Sequence, residues 1–108
     1  MKSKKVPRLL QSALWSYNLD AMSLDNKSDR LLIIEQVFNY GTMEQVKWVL
    51  KNLSENEFKE VLKHPSRGIW YPESLTYWTT VYGVKLDRSI YDRAIKNIYP
   101  QPSVFGNP

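Results

Sequence analysis

Apolar residues along this chain recur at helical spacing, in blocks separated by turn-forming residues, and no alternating run is long enough for a sheet. The densest block is Leu31, Leu32, Ile33, Ile34, Val37, Phe38 and Tyr40, which covers well over half of a helix circumference. A helix of that kind is covered on more than one side, so the pattern predicts a central helix over about 26–40, with Asp25 as its N-cap. Gly41 reads as a left-handed C′ residue. Thr42 with Gln45 reads as a capping box, and Ser54 with Glu57 repeats the device. These starts predict a second helix with Met43, Val46, Val49, Leu50 and Leu53 on its inner face, and a third burying Phe58, Val61 and Leu62. Together they form an αα-hairpin over about 43–63, closed by His64 and Pro65. A fourth helix starts near Pro72, a favoured first-turn residue. One of its faces carries Leu75, Trp78, Thr79 and Tyr82, another carries Trp70, Tyr77 and Val81, and Gly83 is its C′ residue. Asp87 caps a fifth helix that buries Ile90, Tyr91, Ala94, Ile95 and Ile98.

The fold class is therefore all-α, a small bundle of about five helices. One core is expected around Ile34, Val37, Phe38, Val46, Leu50, Phe58, Val61 and Leu62. Residues 9–99 are expected to form a single helical domain, 1–8 a disordered basic arm, and 100–108 an irregular tail. Ahead of the central helix, Leu9, Leu10, Leu14 and Trp15 anchor a short turn-rich segment.

Composition narrows the function classes. With 108 residues and no cysteine, a disulfide scaffold, thiolate metal sites and a cysteine nucleophile are excluded. No apolar run approaches spanning length, so a cytoplasmic chain with no membrane association is expected. The net charge of +4 comes from the arm, through Lys2, Lys4, Lys5 and Arg8. From Leu9 onward, eleven basic side chains balance eleven acidic ones. A nucleic-acid-binding fold usually carries its basic face on the folded body, which argues against a dedicated one here. Weak nucleic-acid contact would fall to Lys2, Lys4, Lys5 and Arg8 on the arm, and to Lys59, Lys63 and Arg67 around the third helix.

Little in the chain looks catalytic. His64 is the only imidazole, the carboxylates Glu55, Glu57 and Glu60 share a solvated helix with lysines, and four glycines supply no phosphate loop. No enzyme activity, cofactor or metal is expected. The second and third helices invite a helix-turn-helix reading, but the would-be recognition helix opens on Glu55-Asn56-Glu57, where phosphates would be met. Four Trp and seven Tyr are a heavy aromatic load, for which filling a core between short helices is the plain explanation. Trp48 fits that explanation least. It lies roughly 160° from Leu50 at 100° per residue, beside Glu44 and Lys51. It is therefore either covered by the Leu14-Trp15 segment or available to a partner. Trp48, Glu44, Lys51 and Trp15 are the candidate partner-binding residues.

The order of these features resembles a small prokaryotic family described mainly as a domain of unknown function. The matching residues are Leu14-Trp15, Leu24-Asp25, Ile33-Ile34-Glu35-Gln36-Val37, Tyr40-Gly41-Thr42, Glu44 with Val46-Lys47-Trp48, Glu60-Val61-Leu62-Lys63, Ser66-Arg67, Tyr77-Trp78 and Tyr82-Gly83-Val84. The chain departs at Ser16, where members often carry Asp, at Gln36, often Arg, and in its added helix from Asp87. Members are often encoded beside a nucleotidyltransferase-type toxin of abortive-infection systems. The resemblance implies a non-enzymatic, antitoxin-like protein that binds such a partner. The alternatives are a helix-turn-helix-like DNA-binding regulator and a structural domain that self-associates.

Overall fold

The computed structural model describes residues 5–96. Lys2, Lys4, Ile98 and the tail expected over 100–108 lie outside them. Among the described residues the architecture is all-α, with helices α1 (Lys27–Tyr40), α2 (Met43–Asn52), α3 (Glu55–Lys63), α4 (Pro72–Tyr82) and α5 (Arg88–Ala94). Two short 3-10 turns, Arg8–Leu10 and Leu19–Ala21, precede them.

α1 is central, as its apolar density predicts. Every residue from Ile33 to Asn39 is buried, and the helix packs against α2, α3 and α4. Its N-cap is Asn26 rather than Asp25. The Asn26 side chain accepts the Asp29 amide at 3.2 Å, whereas the Asp25 amide donates to Ser23 Oγ. The C-terminal carbonyls of α1, orphaned in any isolated helix, find partners here. Gly41 N donates to Val37 O at 2.7 Å, Trp78 Nε1 to Phe38 O at 3.0 Å, and Ser74 Oγ to Asn39 O at 3.5 Å. The capping of α1 is thus also its joint to α4.

Gly41 is not left-handed: its φ is −76° and its ψ 156°. Glycine is required there for closeness, because a Cβ would sit 2.6 Å from Val37 O and 2.8 Å from Val37 Cγ1. Gly83 is the left-handed terminator, at φ 65° and ψ 30°.

Thr42 and Gln45 form the expected reciprocal capping box on α2. At α3 only half of the device is present. Ser54 Oγ accepts the Glu57 amide at 3.3 Å, but the Glu57 carboxylate is taken by Arg30 of α1, in contacts of 2.9–3.1 Å. The Arg30 hydrogen bonds, set against burial, hold the Glu57 carboxyl below its ordinary range.

α5 is shorter than its apolar spacing suggests. Ile95 leaves the helix in extended conformation and forms a parallel bridge with Trp70. Gly68 N donates to Arg93 O, Trp70 N to Ala94 O and Lys96 N to Trp70 O. This backbone pairing ends the helix at Ala94. Ala94 is buried, whereas Ile90 and Tyr91 are only half-buried.

Two side chains of α1, one helical turn apart, fix the loop that leads to α4. The buried Glu35 carboxylate accepts Ser66 N at 2.8 Å, Ser66 Oγ at 2.7 Å and Trp70 Nε1 at 2.8 Å. Asn39 donates to Ile69 O and accepts Tyr71 N at 2.9 Å. A buried carboxylate is tolerable when its oxygens are satisfied in this way. Because the loop is anchored at Ser66, Trp70 and Tyr71, α4 is delivered across α1 at a defined position beside α2.

Candidate functional site

The side of α2 that faces the core differs from the expected one. Val49 and Gln45 are buried, Trp48 is half-buried against the core, and Leu50 is 40% exposed. Gln45 decides the rotation. Its Oε1 accepts Thr42 N, while its Nε2 donates to Leu9 O and Ser12 Oγ, both at 2.8 Å. Two of these three hydrogen bonds hold Gln45 against the N-terminal segment, which turns Val49 and Trp48 inward. Met43 and Leu50 are carried outward, because they lie on the opposite side at 100° per residue.

The outward residues of α2 meet those of α4. Met43 is 70% exposed, Tyr77 60% and Val81 50%. With Val46 and Leu50 they line a groove of about 420 Å³ floored by Phe38, Gly41, Trp78 and Tyr82. The floor is rigid. Trp78 stacks on Phe38 with ring centroids 4.0 Å apart and planes 8° apart, and meets Tyr77 edge-on at 4.9 Å. Phe58 of α3 supports Phe38 from behind at 5.5 Å. Burial, with smaller help from Glu55 and Tyr77, raises the Tyr82 phenol at the end of the groove above its ordinary range. Contiguous exposed apolar surface of this kind marks interaction sites more often than isolated exposed side chains do.

Most of the sequence candidates lie away from this groove. Glu44 and Lys51 are exposed beside the half-buried Trp48, on the far side of α2 from Val46. Trp15 is 74% exposed, while its neighbours Ala13 and Leu14 are buried with Leu10. Lys5 is exposed and Val6 is already part of the core, so packing starts before Leu9. Arg8 lies 3.8 Å from Asp20, and Lys59 pairs with Glu55 at 3.2 Å. Lys63 and Arg67 are exposed, one at the end of α3 and one in the following loop. A second concavity, of about 410 Å³, lies between α1 and α3 beside Glu35, Glu60 and His64. Its acidic groups are already engaged, Glu35 as described and Glu60 with Lys27 at 3.1 Å.

The residues missed from sequence were Met43, Leu50, Tyr77 and Val81. The signal was present: α2 carries apolar residues on two sides and α4 on two faces, so each has one more than the core uses.

No curated protein and no solved structure matches the chain. A family model matches residues 9–62, from the N-terminal turns to α3, so the α2 wall of the groove lies inside the match and the α4 wall beyond it. By that match the chain belongs to DUF6922, a family of unknown function.

Proposed function

We propose that this chain is a non-enzymatic protein-binding module, an antitoxin-like partner of a nucleotidyltransferase-type protein, and that it makes contact through the α2–α4 groove. The observation that carries the reading is the groove itself: four large apolar side chains held outward on two helices over a stacked aromatic floor. Protein interfaces are built around such apolar and aromatic clusters with a polar rim. The resemblance in the sequence supplies the class of partner. The helix-turn-helix alternative draws less support, since Lys59 is already paired with Glu55 and acidic residues head α3.

Co-expression with a candidate nucleotidyltransferase-type protein, sought first in the neighbouring gene, tests the reading. A tagged chain should retain that protein through purification, and Leu50→Arg should lose it while keeping the parental circular dichroism. Retention undiminished in Leu50→Arg, or no retention by the parent, would overturn the proposal.

A further inference from the structure

We propose that, when no other partner is present, the groove closes on a second copy of this chain, giving a two-fold dimer in which α2 of each copy lies against α4 of the other. The inference rests on the reading of the groove as a protein-binding face.

Shape is the first argument. α2 and α4 have 10 and 11 residues, so each is about 15 Å long, and both line the groove. Met43 and Leu50 form a ridge along one, Tyr77 and Val81 along the other, with the Gly41–Phe38–Trp78 floor between. A two-fold operation turns such a surface onto itself, with the ridge of one copy entering the groove of the other.

Area is the second argument. At their observed exposures the groove side chains present on the order of 500 Å² of surface per copy, within the range of the largest apolar patch on a typical monomer, which is often functional. Two such faces bury roughly 1,000 Å² before any rim is counted, which reaches the lower bound for a specific interface.

Charge is the third argument. Lys47 follows Met43 by one turn on the solvent side of α2, and Glu73 precedes Tyr77 by one turn on the outer edge of α4. Neither makes an ion pair among the described residues, although Lys27–Glu60, Arg30–Glu57 and Arg88–Asp92 are all formed elsewhere on the molecule. With α2 of one copy against α4 of the other, Lys47 faces Glu73 across each half of the interface. The rim then favours this pairing, as charges at an interface edge set register and partner choice.

Sedimentation velocity on the full chain, from about 1 to 100 µM, tests the inference. The parent should move towards twice 12.7 kDa as concentration rises. Met43→Glu should raise the dissociation constant at least tenfold with unchanged circular dichroism. Lys47→Glu and Glu73→Lys should each weaken the dimer, and the double swap should restore it. A parent that stays at 12.7 kDa throughout overturns the dimer. If such a parent still retains the nucleotidyltransferase, the function proposed above stands without it. A dimer that Met43→Glu leaves intact overturns the placement of the interface. A dimer that Met43→Glu disperses, with no retention of the nucleotidyltransferase, upholds the inference and removes that choice of partner. Failure of the double swap to restore association overturns the α2-to-α4 arrangement.

Discussion

Removing the Glu35 carboxylate should unlatch the loop on which α4 depends. Three hydrogen bonds of 2.7–2.8 Å converge on it, from Ser66 N, Ser66 Oγ and Trp70 Nε1. Hydrogen bonds to a charged group contribute about 1.5–3 kcal/mol each to stability, net of solvation. Ser66 is exposed, so in Glu35→Ala its two donors regain water and most of their loss is recovered. Trp70 is fully buried, so its indole N–H is stranded, at a cost of about 1–3 kcal/mol. The side chain also leaves a small void beside Trp70, which adds to the cost. The expected loss for Glu35→Ala is about 3–5 kcal/mol, a large part of the stability of a domain this size. Urea denaturation followed by far-UV circular dichroism measures it independently of the altered Trp70 fluorescence. At a urea slope of about 1–3 kcal/mol per molar, the midpoint should fall by at least about 1 M. Glu35→Gln, which keeps one acceptor oxygen, should lose roughly half as much. A loss below about 1 kcal/mol for Glu35→Ala would refute the view that this carboxylate is what holds the loop.

Other perturbations separate further parts of the account. Val49→Ala should cost about 2 kcal/mol, whereas Leu50→Ala, on the outer side of the same helix, should cost less than about 1, both read from denaturation midpoints. Equal losses would contradict the rotation of α2 set by Gln45. Gly41→Ala should cost about 1–3 kcal/mol through its clash with Val37, even though its backbone angles suit any residue. A melting temperature equal to the parent's would show that the end of α1 yields freely. For Glu57 the sign is that of a depressed carboxylate. Its pairing with Arg30 stabilises the fold above the unfolded value near 4.5 and is lost as pH falls through the lower folded value. The midpoint difference between the parent and Glu57→Gln should therefore be constant above about pH 5 and shrink in acid. A difference that grows in acid would contradict the pairing.

Much of the fold was legible because periodicity and caps agree. The density of α1, the Thr42–Gln45 box, Pro72 at the start of α4 and Gly83 at its end are local features, and each falls where its chemistry directs. What was illegible depends on contacts distant in sequence. Gln45 reads as a capping residue, and nothing nearby shows that its amide also binds Leu9 and Ser12, the contacts that rotate α2. α5 carries helical spacing through Ile98, yet the backbone of Gly68 and Trp70 claims Arg93 to Lys96 and stops the helix. Gly41 reads as left-handed because glycine after a helix usually is, and only the packed Val37 reveals the steric reason. The candidate site suffered most from the rotation of α2. A face assigned by counting apolar residues put Leu50 inside; with Gln45 bound to the N-terminal segment, Leu50 is 40% exposed and Trp48 is half-buried against the core.

Protein contact is proposed to run through the α2–α4 groove rather than through Trp15, the exposed tryptophan of the N-terminal segment. Isothermal titration of the proposed nucleotidyltransferase-type partner with the parent, Tyr77→Arg and Trp15→Ala tests it directly. Tyr77 and Trp15 are both largely exposed, so neither change should alter the melting temperature. Tyr77→Arg should weaken binding at least tenfold, about 1.4 kcal/mol, while Trp15→Ala should bind like the parent. Parental binding by Tyr77→Arg together with loss in Trp15→Ala would contradict it and move the interface to the N-terminal segment.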